Sequence, residues 1–250
     1  MWETTRPLSS AVAGTLTTAV AGNLAAGLAM TALAMFGFAV NDIFDYRKDR
    51  AARVRRPIAD GRLSKAGAAC LAAGMLACAA VLGLAAGSGG AVLAITAAAL
   101  TLYSPLALRY PLIKDAMVAG LCCLPLYYGA VAGGRQVAWV SYAGITCFVM
   151  GREILMDADE LEGDRKAGIR TVAAVWGRVR TARIGSAVML VSAAALIVLV
   201  DGAVAKGAAA GTLALLACVF TWPGLGWHRR VELSRWPMLL GAIALARGGA

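Results

Sequence analysis

From Ser9 onward the chain is a succession of apolar runs broken by charges or by Gly and Pro, near 9–22, 24–42, 66–86, 91–108, 115–133, 137–156, 184–201, 206–223 and 236–248. About 20 mostly apolar residues make a helix long enough to cross a bilayer, and shorter ones are tolerated inside bundles. The runs predict an all-α, multi-spanning transmembrane helix bundle of about nine helices, forming one integral-membrane domain over residues 1–250. Between Pro7 and Asp42 only Gly22-Asn23 offers a turn. Without it the first two runs form a single long, bent helix, and the count falls to eight. An apolar content of 60%, with 15% charged residues and a mean hydropathy of +0.72, is far from the balance of a soluble domain. Abundant Ala and Gly suit helices packed closely in lipid.

The net charge of +10 would suggest nucleic acid in a soluble protein. Here the charge follows the threading. Arg6, the run Arg47 to Lys65, Arg109 with Lys114, the run Arg152 to Arg183, and Arg229, Arg230 and Arg235 all fall in loops on one side. Of the 24 basic residues only Arg135, Lys206 and Arg247 fall on the other. The positive-inside rule makes the first side cytoplasmic, in a multi-pass protein of the cell membrane, with no nucleic-acid partner required. Arg6 before an apolar run that continues into the chain reads as an anchor and not as a cleavable signal. The six cysteines lie in apolar segments without a C-x-x-C pair, and His228 is the single histidine. A disulfide framework, a His-ligated metal and a Ser-His-Asp triad therefore have little support.

Two acidic trios interrupt this pattern. Asp42, Asp45 and Asp49 recur as Asp157, Glu160 and Asp164 with the same spacing, 115 residues later. Positions i, i+3 and i+7 fall within an arc of about 60° on a helix, so each trio shares one face. Crowded carboxylates repel one another unless a cation compensates them, and acids at the end of a membrane helix mark functional sites. Mg²⁺ prefers a few carboxylates together with substrate phosphate oxygens. Two such faces could hold Mg²⁺ ions bridging a diphosphate. Arg47, Lys48, Arg53, Arg55, Arg56 and Arg170 are near enough in sequence to neutralise its remaining charge. Asp159 and Glu162 point away from the trio face. The offset spans four helices, which returns both trios to the cytoplasmic side and suggests two parallel repeats.

The residues that carry these charges resemble a known family. Asn41-Asp42-Ile43-Phe44-Asp45-Tyr46-Arg47-Lys48-Asp49, with Arg56-Pro57 and Asp60-Gly61 beyond, resembles the first signature of the UbiA superfamily of intramembrane prenyltransferases. Arg152-Glu153 through Asp157 to Gly163-Asp164, then Gly168-Ile169-Arg170-Thr171 and Trp176-Gly177, resembles the second. Leu102-Tyr103-Ser104 to Arg109-Tyr110-Pro111 is similar to the Tyr-and-basic segment between them. The resemblance implies a helical bundle with a central cavity open to lipid. It implies Mg²⁺-dependent transfer of a polyprenyl group from an isoprenyl diphosphate donor to a hydrophobic aromatic or lipid acceptor, with membrane lipid as a further partner. By the same resemblance Asp42, Asp45, Asp49, Asp157, Glu160 and Asp164 bind metal, with Asp42, Asp45, Asp157 and Asp164 central to catalysis. Asn41, Arg56, Tyr103, Arg109 and Arg170 bind or position the diphosphate. Glu160 departs from the family, which usually has Asp there. Three other functions share part of the pattern: a terpene cyclase of the same superfamily, a polyprenyl-phosphate phosphoribosyltransferase, and a cation transporter. A transporter calls for acids near the bilayer midplane, whereas these lie at helix ends.

Overall fold

In the computed structural model the described residues are 2–51, 56–107, 110–136, 139–166, 168 and 170–237. Ten helices lie among them: α1 (Trp2–Ala21), α2 (Leu24–Ala51), α3 (Lys65–Ala85), α4 (Gly90–Ala107), α5 (Pro111–Ala132), α6 (Trp139–Lys166), α7 (Val172–Trp176), α8 (Arg178–Leu199), α9 (Ala203–Thr221) and α10 (Trp227–Leu233). The expected turn is present. α1 and α2 are separate helices, and Gly22 between them has φ +64°, a left-handed conformation that glycine adopts without a Cβ clash. The Asn23 carboxamide then accepts the N–H groups of Ala25 and Ala26, at 2.9 and 3.4 Å, which caps α2.

Among the described residues, five helical stretches are long and apolar enough to cross a membrane by length and composition: Leu24–Arg47, Lys65–Ala85, Leu112–Ala132, Arg178–Leu199 and Ala203–Thr221. Gly90–Tyr103 is a shorter apolar helix. α6 carries Arg152 and Glu153 within its length, and the last expected run, 236–248, lies almost wholly outside the described residues. Large apolar side chains project outward on these helices, Leu84 at 81% and Val198 at 78% exposure. That is the reverse of a water-facing surface and suits contact with lipid. Several hydroxyls on the same helices are satisfied locally. Thr31, Thr96 and Ser192 each donate to the carbonyl four residues back, at 3.0, 2.7 and 2.7 Å. Two short helices, α7 and α10, were not evident in the apolar pattern, because neither is long enough to show it.

The chain forms two compact units, Met1–Arg109 with Leu124–Val137, and Tyr110–Cys123 with Ala138–Ala250. The first unit is packed on α2. Its Met30, Leu33, Phe36 and Val40 meet Ala72 and Ala79 of α3, Leu93 of α4 and Tyr128 of α5. α1 approaches α2 through a reciprocal glycine pair: a Cβ on Gly14 would stand 2.7 Å from the Gly27 carbonyl oxygen, and one on Gly27 would stand 2.6 Å from that of Gly14. The second unit is packed on α6. Phe148, Leu155 and Ala158 meet Ala182, Met189 and Ala193 of α8, with Leu216 of α9 and Val231 of α10. Gly151 and Gly185 make an equivalent pair, with built Cβ atoms 2.8 and 2.6 Å from each other's carbonyl oxygens. Small residues let membrane helices approach closely enough to pack without a hydrophobic driving force.

Candidate active site

Each acidic trio occupies the last turns of the longest helix in its unit, since α2 runs on to Ala51 and α6 to Lys166. Both helices continue beyond their apolar runs although Asp is a poor helix former, so the extensions are set by tertiary partners more than by propensity. In the first unit, Arg56 gathers the trio. Its Nη1 lies 2.9 Å from Asp42 Oδ1, 2.7 Å from Asp49 Oδ2 and 4.0 Å from Asp45 Oδ2. The carboxylates are mostly sheltered, with Asp49 at only 5% side-chain exposure. Three acids converging on one guanidinium nitrogen show that this face closes on a single positive centre.

The local sequence explains how Arg56 gets there. Arg56-Pro57-Ile58-Ala59-Asp60-Gly61 folds into a tight turn, in which the Asp60 N–H donates to Arg56 O at 2.8 Å and that of Leu63 to Pro57 O at 2.9 Å. Gly61 takes φ +76°, and Ile58 is buried beneath the turn at 5% exposure. Ser64 then caps α3, its Oγ accepting the Gly67 N–H at 3.0 Å. Of the other residues assigned to the diphosphate, Asn41 is half-buried on α2 and Tyr103 half-buried on α4. Arg109 lies outside the described residues, as do Arg53 and Arg55.

The second trio is arranged differently. Asp157 is buried and held at both oxygens. Oδ1 accepts from Lys114 Nζ at 2.5 Å, and Oδ2 accepts the backbone N–H of Val172 at 3.2 Å. Val172 is the first residue of α7 and Thr171 gives it no side-chain cap, so Asp157 supplies the missing acceptor from α6. Asp164 is also buried, at 7%, whereas Glu160 between them is exposed. Arg170 stands exposed in the connection between α6 and α7. Asp159 and Glu162 serve the scaffold of the unit: His228 Nδ1 lies 2.8 Å from Asp159 Oδ2, and Arg178 Nη2 lies 3.1 Å from Glu162 Oε1.

Lys114 and its neighbour Asp115 were missed as site residues. Asp115 is wholly buried, with Oδ1 3.2 Å from Lys114 Nζ. The signal lay in the sequence: an adjacent acid and base opening an otherwise apolar run, where charge is costly unless paired. No group of three or more His, Cys, Asp or Glu side chains already forms a metal cluster among the described residues. The acids instead hold basic side chains. Donor chemistry still suits a hard divalent cation, since every trio ligand is a carboxylate oxygen.

Helices that are apolar outside define a membrane-embedded helical protein, and two of them, α2 and α6, end in carboxylates. Residues 8–245 match the UbiA prenyltransferase family, and the chain belongs to it. The digeranylgeranylglyceryl phosphate synthase of Natronomonas pharaonis is 34% identical over 203 residues, 76% of this chain and 73% of its own length. Similar synthases of that name are covered over as little as 54% of their length, as in Thermococcus sibiricus. A solved structure of a UbiA homologue from Aeropyrum pernix superimposes with a TM-score of 0.77 at 20% identity, over 97% of this chain and 96% of that one. A second, from Archaeoglobus fulgidus and bound to DMAPP and Mg²⁺, gives 0.70 at 18% identity over 96% and 94%. The protein is thus a multi-pass membrane transferase of prenyl groups.

Proposed function

We propose that the chain catalyses Mg²⁺-dependent transfer of an isoprenyl group from an isoprenyl diphosphate to a hydrophobic acceptor held in the membrane. The observation that carries this is the convergence of Asp42, Asp45 and Asp49 on one positive centre at the end of a spanning helix. The donor class is supported by the Archaeoglobus fulgidus homologue, whose structure holds DMAPP with Mg²⁺. A lipid acceptor is favoured over an aromatic one, because relatives such as that of Natronomonas pharaonis are digeranylgeranylglyceryl phosphate synthases. The family match crosses both units, which supports treating residues 1–250 as one domain. The bias of basic residues supports a cytoplasmic position for both trios.

In this scheme Asp42, Asp45 and Asp49 hold metal in the first unit, and Asp157, Glu160 and Asp164 in the second. When bound, the metal offsets charge that develops on the departing diphosphate. Arg56, Arg109 and Arg170 share that task as fixed or approaching cations, and Asn41 and Tyr103 orient the diphosphate by hydrogen bonds. The apolar walls take the prenyl chain and keep water from competing with the acceptor for the allylic carbon. Purified protein incubated with Mg²⁺ and a panel of isoprenyl diphosphates, with and without lipid acceptors, should release diphosphate in an EDTA-sensitive manner. Asp42→Ala and Asp157→Ala should each lower turnover by about a hundredfold or more. Full turnover in both variants would overturn the assignment. Product structure separates transfer from cyclisation.

A further inference from the structure

Each carboxylate face already carries a basic side chain of its own unit. Arg56 lies on the first, within 2.9 Å of Asp42 and 2.7 Å of Asp49. Lys114 lies on the second, bridging Asp157 at 2.5 Å and the buried Asp115 at 3.2 Å. A divalent ion is held off the same carboxylate oxygens while an ammonium or guanidinium sits at hydrogen-bonding distance, because like charges repel strongly where water is scarce. Nor does the basic group leave freely, since it is largely sheltered from water, where a charge without a partner is costly. It needs a new anion to move to. Both side chains are placed for such a move. Lys114 is fixed on its inner side by Asp115, at 0% exposure, yet keeps 22% exposure of its own. Arg56 keeps 17% and sits at the start of a turn instead of inside a helix.

We infer that Arg56 and Lys114 are exchangeable counter-cations, which close the acidic faces in the free protein and pass to the diphosphate oxygens as metal takes their place. The inference rests on the proposed use of these faces for a metal diphosphate. It makes metal and diphosphate bind as a pair, each weakly alone. It also gives Lys114 a diphosphate-binding role that its place in the charge pattern did not reveal. The chemistry selects for diphosphate: a ligand must supply enough anionic oxygens to serve the metal and to receive the displaced cations.

Calorimetric titration of the full-length protein in detergent tests this without turnover, using Mn²⁺ alone, pyrophosphate alone and the two together. Wild-type protein should bind Mn²⁺ about tenfold or more tightly once pyrophosphate is present, a coupling that is reciprocal. Lys114→Met should shift the two affinities in opposite directions, tightening Mn²⁺ alone about tenfold and weakening Mn²⁺-pyrophosphate by a similar factor. Lys114→Arg should restore both. A residue that merely supports the fold would weaken both together. Arg56→Gln should give the same opposed shifts on the first face, and it carries the test should Lys114→Met fold poorly. Unchanged or weaker Mn²⁺ binding in folded Lys114→Met, or in Arg56→Gln, would overturn the exchange while leaving the proposed function intact. Wild-type protein that binds no pyrophosphate with Mn²⁺ would instead overturn the proposed function itself.

Discussion

His228 is the one histidine of the chain, and it joins α10 to α6 through an ion pair with Asp159 at 2.8 Å. The hydrogen bond to Asp159 and then its charge raise the imidazole above its ordinary 6.5, with Glu232 adding to the effect and Arg235 opposing it. A raised folded value means the tie is fully present below pH 6.5 and fades as pH climbs through the folded titration point. His228→Gln should therefore lower thermal stability slightly at mildly acidic pH and leave it unchanged well above neutrality. Melting curves of the two proteins in detergent across that range check the sign. The site residues show how far side-chain chemistry can be read from spacing. Asp42, Asp45 and Asp49 were legible because helix period alone puts them on one face, and the turn after them delivers Arg56. Lys114 was not, because its partner Asp157 lies 43 residues away on another helix. Counted by loop, it looked like one more cytoplasmic charge. The cap that Asp157 gives to Val172 was hidden for the same reason, since only tertiary packing brings α7 to α6.

At the scale of elements, apolar runs located α3, α4, α5 and α9 closely and found α2 and α8, because the membrane makes length and composition the governing variables. Helix ends were less legible. α2 and α6 outrun their apolar stretches, and α7 and α10 have too few residues to show a period. What sets the spacing of neighbouring helices is more local still. In the second unit α6 and α8 meet where Gly151 and Gly185 bring backbone against backbone. Gly151→Ala adds a methyl only 2.8 Å from the Gly185 carbonyl oxygen and 2.9 Å from the Met189 backbone nitrogen. Neither neighbour is a flexible side-chain end, so the helices must part, at a cost of about 1–3 kcal/mol. Equilibrium unfolding in mixed micelles should show that loss. Gly163→Ala, on the same helix with open space around it, should show little. Equal stability of both variants would mean that the α6–α8 contact is looser than the structure has it.

For the molecule as a whole, the family and the membrane setting were legible because both depend on patterns that survive sequence drift: apolar length, the sidedness of basic residues, and two acidic motifs in fixed order. The choice of acceptor was not, since it depends on tertiary contacts that neither spacing nor composition records. One feature gives the chain a means of reporting its own position. Cys70 and Cys78 both lie exposed on α3, which runs from Lys65 to Ala85. At about 1.5 Å per residue they stand about 7 and 20 Å from the helix start, so within a hydrocarbon layer of about 30 Å one is shallow and the other near the centre. The two native thiols form a built-in depth gauge. In single-cysteine variants carrying a fluorophore, doxyl lipids labelled near the headgroup should quench Cys70 more strongly, and those labelled near the chain terminus should quench Cys78. Equal quenching at both depths would mean that α3 lies along the membrane surface. Adding a headgroup-level quencher to one leaflet of sealed vesicles would then show which face Lys65 enters from, and so on which side of the membrane its neighbouring turn, with Arg56, does its work.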